Sequence, residues 1–311
     1  MVFEPAAPPA SELARYRILS PRCSLRVSPI WIGGMSFGDS DWASILGKME
    51  KSAVFELLDY YRSQGGNFID LANAYHNGQS EEWWTYDTTI EEVMTYLNDL
   101  VTAGKVTYLG ISNTPAWIVS KANQYAQDHG LRQFVVYQGR YSPLNRELER
   151  DIFGLCEHDG MAMAHWGVLG QGSFGNQPPN SGNTDRRTMV ADEERLTRAR
   201  DVIGKIAKAK SQQTKTDVSM AGVVIAWAIK KAPYSYPIIG MRSINTLKAN
   251  IAALSISLTE DEMIAIDDAA AGDPMDRGWP GNFAAPTVTH GQIKGPWDLW
   301  FTSTECHIVG Q

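Results

Sequence analysis

Apolar and polar residues follow two periods along most of this chain, and the alternation between them predicts its elements. Tyr16-Arg17-Ile18-Leu19 and Leu25-Arg26-Val27 are short alternating runs, the pattern of a small β-hairpin. Pro29-Ile30-Trp31-Ile32 is continuously apolar and ends in Gly33-Gly34, as a buried strand does. Val54, Leu57, Leu58 and Tyr61 then recur at helical spacing, and Gly65-Gly66 stops that helix. Phe68-Ile69-Asp70 reads as a strand. Thr89 and Glu92 form a capping-box pattern for a helix over residues 89–103, with Ile90, Val93, Met94, Leu97 and Val101 on one face. A strand over 106–111 follows. Thr114-Pro115 opens a helix that reaches about His129, and residues 134–138 are a strand. Residues 146–158 read as a helix and 161–164 as a strand. Residues 170–191 form a long loop rich in Gly, Asn, Pro and Ser, of the kind that is usually functional or disordered. Helices over 195–210 and 217–230, a strand at 237–239, a helix over 245–254 and one capped by Thr259 and Glu262 complete the series.

Strand–helix alternation of this kind predicts an α/β fold with parallel strands covered by helices. Several strands end in polar residues: Asp70, Ser112-Asn113, Gln138 and His165-Trp166. Polar strand ends suit a TIM-type barrel with its site at the strand C-termini. A doubly wound sheet is the alternative, and it loses ground because no G-x-G-x-x-G follows the first strand. The expected organisation is one domain over residues 1–311, with a flexible Pro/Ala-rich lead (1–14) and a Gly/Pro-rich tail (272–311) holding Trp279, Trp297 and Trp300.

Composition narrows the function. Of 311 residues, 43% are hydrophobic and 20% charged, which fits a globular chain with a sizeable core. The net charge of −7 weighs against nucleic acid or an anionic membrane as partner, since both reward excess Lys and Arg. Cys23, Cys156 and Cys306 are odd in number and far apart, which argues against a disulfide framework or a zinc site; three inert thiols in a reducing cytosol fit better. No signal peptide is visible in the first twenty residues, and no apolar stretch is long enough to span a bilayer. A small molecule is the expected partner, and oligomeric state is left open.

Five segments carry a family resemblance. They are Gly33-Gly34-Met35-Ser36-Phe37-Gly38; Gly66-Asn67-Phe68-Ile69-Asp70 continuing to Ala72-Asn73-Ala74-Tyr75; Gly104-Lys105-Val106 leading to Leu109-Gly110-Ile111-Ser112-Asn113; Val136-Tyr137-Gln138; and Ile238-Ile239-Gly240-Met241-Arg242 continuing to Asn250. Their order and spacing resemble the aldo-keto reductases, in particular the fungal branch of aryl-alcohol dehydrogenases and norsolorinic-acid-reductase-like enzymes. The resemblance implies a (β/α)8 barrel and a hydride exchange between NADP(H) and an aryl or polyketide carbonyl or alcohol. It implies Tyr75 as the acid that protonates the carbonyl oxygen and Asp70 as the carboxylate that positions an activating Lys. For the cofactor it implies Met35 in the first loop, and Ser112, Asn113 and Gln138 at the nicotinamide carboxamide. Trp166 would stack on the ring, with Gly167, Leu169, Gly170 and Gly172 around the pyrophosphate. Arg242, Thr246 and Asn250 would hold the adenosine end, Arg242 facing the 2′-phosphate and so favouring NADP over NAD.

The chain departs from the family pattern in two places. After Ser80-Glu81-Glu82-Trp83 it goes straight to Trp84-Thr85-Tyr86-Asp87-Thr88-Thr89, which resembles the stretch beyond the family's fourth strand. The region of the third and fourth strands is missing, so about six strands remain. The catalytic Lys and His that the family carries there have no counterpart. His165 stands where relatives usually carry Pro. An ordinary phenol has a pKa near ~10, and a neighbouring Lys⁺ lowers it; without the Lys, Tyr75 loses its activation. General acid catalysis is worth about 10²–10⁴-fold, and proximity alone leaves a trace of hydride transfer. His76 and His165 are the neighbours available as substitutes, with an exposed loop His and a pocket-lining His as their plainer readings. Three functions stay open: a reductase or dehydrogenase, a non-catalytic nicotinamide-nucleotide-binding protein, and an inactive product of decay or mis-splicing. The shortened barrel would either close as a crowded six-stranded ring or remain an open sheet.

Overall fold

A computed structural model describes residues 8–38, 49–72, 89–175 and 193–272. In chain order its elements are β1 (Arg17–Ser20), β2 (Cys23–Val27), β3 (Trp31–Gly33), α1 (Lys51–Ser63), β4 (Ile69–Asp70), α2 (Ile90–Thr102), β5 (Leu109–Ser112), α3 (Ala116–Asp128), β6 (Phe134–Arg140), α4 (Ile152–Asp159), β7 (Ala162–Trp166), α5 (Glu193–Thr214), α6 (Met220–Lys230), β8 (Ser235–Gly240), α7 (Ile244–Ala253) and α8 (Glu260–Ala269). β1 and β2 pair antiparallel as the expected hairpin. The other six strands form one parallel sheet in the order β4-β3-β8-β7-β6-β5. The sheet is a half-barrel: β4 and β5 are its two ends, and no ladder joins them among the described residues. The open form, not the closed ring, is therefore what six strands adopt.

Strand alternation sorts the core into two layers. On the concave side Trp31, Val135, Ala162, Ala164, Tyr236 and Ile238 pack together, and Leu19, Cys23 and Val27 of the hairpin close the space from one end. Trp31 stacks on Phe68 with ring centroids 3.7 Å apart and on Tyr236 at 5.1 Å. The Tyr236 hydroxyl donates to the Ile18 carbonyl at 2.6 Å, tying hairpin to sheet. On the convex side Tyr137, Tyr141, Ile152, Ile203, Val223, Trp227 and Ile239 belong to the larger layer under the helices.

Helix starts follow the local sequence. Thr259 accepts from the Glu262 N–H at 3.2 Å and Glu262 accepts from the Thr259 N–H at 2.7 Å, a complete capping box for α8. At α2 the Thr89 half is formed, with the hydroxyl accepting from the Glu92 N–H at 3.2 Å. The predicted helix over 146–158 is divided: Glu147–Glu149 is a 3₁₀ turn, and α4 begins only at Ile152. The reason is a charge cluster. Arg146 grips Glu149 through Nε (2.9 Å) and a second nitrogen (2.7 Å), and residues three apart eclipse in a 3₁₀ turn. The Tyr141 hydroxyl (2.5 Å) and the Lys231 ammonium (3.3 Å) hold the same carboxylate. Among the described residues no helix is long and apolar enough to cross a membrane, and no group of three His, Cys, Asp or Glu side chains could hold a metal. Cys23 and Cys156 are buried free thiols, and Cys306 lies outside the described residues.

Candidate active site

Parallel pairing in register brings the strand C-termini to one edge of the half-barrel. Gly33 pairs with Asp70 and with Gly240, Ser112 pairs with Gln138, and Gly139 pairs with His165. The polar residues that interrupt the apolar runs therefore gather at one place. Gln138 is its centre. Its Nε2 donates to Asp70 Oδ1 at 2.7 Å, across the mouth of the curled sheet. Ser112 Oγ lies 3.5 Å from Gln138 Oε1, at the limit of hydrogen bonding. The Asn113 N–H donates to the Gln138 carbonyl at 3.0 Å, and Asn113 Oδ1 accepts from Trp166 Nε1 at 3.3 Å. Asn113 has φ 53°, a left-handed conformation that Asn tolerates better than most residues, and it turns the chain out of β5 toward Trp166.

Burial pushes the Asp70 carboxyl pKa above its ordinary value, and the Gln138 hydrogen bond opposes the shift. Among the described residues this half-buried carboxylate is held by one neutral amide and by no cation.

The turn after β7 is built on glycine. Gly167, Gly170 and Gly172 have φ of 71°, 59° and 100°, and Gln171 between them has φ 54°. Leu169 lies in the same turn, and its carbonyl accepts from the Gly172 N–H at 3.1 Å. At the opening loop Met35 is 42% exposed. A Cβ on Gly34 beside it would sit 2.3 Å from the far end of the exposed Leu71 side chain and 3.2 Å from the Asp70 carbonyl oxygen, so a side chain there would have to push Leu71 aside.

Arg242 and Thr246 are exposed at the start of α7, where Ser243 caps the helix by accepting from the Thr246 N–H at 3.2 Å. A cleft of about 270 Å³ lies there, lined by Ala53, Glu56, Leu57, Arg242, Ser243, Ile244 and Asn245. Asn250 is buried, so it does not share the exposed face of Arg242 and Thr246; its Nδ2 has no hydrogen-bond partner. A larger open hollow, about 570 Å³, is lined wholly by α5, α6 and the segment joining them.

His165 does not line the site. It faces the helix layer, fully buried, with Tyr141 and Phe153 ring centroids at 4.6 and 6.0 Å, and neither ring nitrogen has a partner. Burial pushes its pKa down to about 3. Strand parity is the cause: Ala162, Ala164 and Trp166 take the concave face, so His165 takes the other. It is neither a pocket-lining histidine nor a substitute acid. Tyr75 and His76 lie outside the described residues, as do Trp279, Trp297 and Trp300.

One rim residue escaped the sequence reading. Arg140 ends β6, two residues past Gln138, and its guanidinium carbon is 5.9 Å from the Trp166 ring centroid. The period-two rule applied from Gln138 would have found it.

Comparison with known proteins places the chain in a family. The model of the aldo/keto reductase family matches residues 29–84 and 82–271, two pieces that meet at residues 82–84. The chain is 35% identical to norsolorinic acid reductase B of Dothistroma septosporum over 94% of this chain and 91% of that protein. It is 36% identical to an aryl-alcohol dehydrogenase of Pestalotiopsis microspora (96% and 92%) and 37% identical to an aldo-keto reductase of Aspergillus calidoustus (90% and 87%). The first of these alignments runs over 368 positions, more than the 311 residues of this chain, so residues of the relative stand opposite gaps here.

Proposed function

The chain belongs to the aldo/keto reductase family, and from that premise we propose that it is an NADP(H)-dependent oxidoreductase of aryl or polyketide carbonyls and alcohols whose acid–base step is crippled. The observation that carries this reading is the convergence of Asn113, Gln138 and Trp166 at the strand ends, with Asp70 bonded to Gln138 rather than to a cation.

The residues present fit a dinucleotide. Positive φ at Gly167, Gly170 and Gly172 lets the backbone come close to a pyrophosphate without a Cβ in the way. Arg242 stands at the α7 cleft, where a guanidinium suits a 2′-phosphate; Glu56 in the same cleft opposes that charge. When bound, the nicotinamide supplies the hydride.

The chain's own part is to orient and to protonate. Trp166 offers an aromatic face and Asn113 an amide beside it. Tyr75 is the proposed proton donor, with Asp70 five residues before it on the strand end. The family resemblance puts the Lys and His between the two matched pieces, which meet at residues 82–84; without that cation the phenol pKa is not brought toward neutrality. Orientation remains; proton transfer suffers.

The Asp70–Gln138 bond favours a second reading, a nucleotide-binding protein with no turnover, because it gives the carboxylate a neutral amide as partner in place of the cation that turnover requires, while it leaves one Gln138 N–H and the Oε1 open. NADPH fluorescence on titration, followed by NADPH oxidation with an aromatic aldehyde at high protein concentration, separates the two. Binding with slow oxidation supports the crippled reductase. Binding with none supports the second reading, and no binding rejects both.

A further inference from the structure

We propose that Arg140 binds the carboxylate or ionised phenol of an aromatic substrate, at the rim of the strand ends beside Trp166. The inference rests on the reductase reading and names the substrate class within it. Arg140 shares its strand face with Val136 and Gln138, and stands two residues, about 7 Å, further toward the rim. Its Nε is buried without a hydrogen bond among the described residues. Desolvation by burial lowers its pKa from the ordinary arginine value, and nearby Glu147 partly opposes that shift. Other arginines of the fold are engaged: Arg146 holds Glu149, Arg17 donates to the Pro233 and Ser235 carbonyls, and Arg195 donates to the Leu144 carbonyl.

A half-buried guanidinium with an unmet donor is completed by an anion, and its planar fork matches a carboxylate. The guanidinium selects an acid over a neutral carbonyl, and the indole that it approaches keeps its other face for the nicotinamide. One other anion could reach this guanidinium. A Cβ on Gly167 would lie 3.5 Å from Arg140 Cγ, so the turn proposed for the cofactor pyrophosphate is adjacent.

Calorimetric titration of the full chain with 4-carboxybenzaldehyde and with its methyl ester tests the proposal, in the wild type, Arg140→Met and Arg140→Lys. The wild type is expected to bind the acid about tenfold more tightly than the ester. Arg140→Met should erase that preference, Arg140→Lys should keep part of it, and NADPH affinity should stay within about twofold throughout. Equal binding of acid and ester by the wild type overturns the proposal, as does a preference that survives Arg140→Met. A loss confined to NADPH affinity also overturns it, by assigning the guanidinium to the pyrophosphate. Should Arg140→Met fail to fold, the wild-type pair and Arg140→Lys decide. NADPH binding without any acid preference leaves the reductase reading standing and removes this one. Acid preference without NADPH binding does the reverse.

Discussion

At the scale of single residues, Asp70 is the position where the chain's history and its chemistry meet. Its carboxylate sits five residues before Tyr75 and, with no lysine beside it, takes the Gln138 amide at 2.7 Å. In the proposed binding mode a ligand carboxamide competes with Asp70 for the Gln138 amide, whose second N–H and Oε1 the bond leaves open. Asp70→Ala should therefore tighten NADPH binding by about tenfold, the value of one hydrogen bond to a charged group. Binding of 2′,5′-ADP, which has no nicotinamide, should not change. Equal NADPH affinity in both proteins would show that the bond does not compete. His165 gives a second expectation. Its pKa falls from an ordinary value near ~6.5 in the unfolded chain to about 3 in the fold. Between those values the unfolded chain holds the extra proton. Stability is thus complete above pH ~6.5 and declines as pH falls toward 3, by up to about 1.4 kcal/mol per unit. His165→Leu should flatten the decline in urea midpoints measured at pH 7, 6 and 5; parallel declines would contradict the assignment. Asp70, Asn113, Gln138 and Trp166 were legible in the sequence because each interrupts an apolar strand at its end. The Asp70–Gln138 bond was not, since it joins residues 68 apart and depends on how far the sheet curls.

At the scale of elements, periodicity located the hairpin, six parallel strands and the helices between them, because each buries one face or one stripe. It failed over 146–158, where tertiary charge pairing with Lys231 and Tyr141 sets a 3₁₀ turn that no local pattern announces. Turn glycines were better signals. Gly65 closes α1 at φ 94°, and a Cβ there would lie 2.7 Å from Ala14 Cα. Gly65→Ala combines a left-handed backbone with a clash against main chain. It should cost about 1–3 kcal/mol in urea unfolding; an unchanged midpoint would mean that the N-terminal turn is not docked there. The exposed Gly104 and Gly130 also have positive φ, but a Cβ at either meets nothing within 4 Å. Alanine there should cost only the backbone term.

At the scale of the whole molecule, the incomplete set of strands explains the shape, and the proposed loss of the acid–base pair follows from the same gap. Eight strands close a barrel; six chosen from the same set leave β4 and β5 as ends of an open sheet. The concave side is filled by Trp31, Phe68 and Tyr236 with the hairpin against them, so the half-barrel keeps a core of its own. Its fold class and shortened form were legible from segment order. Whether six strands would close or open was not, since ring closure depends on inward side-chain volume and no local signal reports it. An open parallel sheet should melt broadly and at low temperature in circular dichroism, and a sharp transition at high temperature would contradict the open form. The most direct measurement compares NADPH oxidation by this chain with that of a family member carrying the Lys and His, using one aromatic aldehyde at one pH. The expected rate is lower by at least about 10²-fold, with measurable NADPH binding. Turnover equal to that of the intact relative, unaltered by Tyr75→Phe, would contradict the loss of the tuned proton donor.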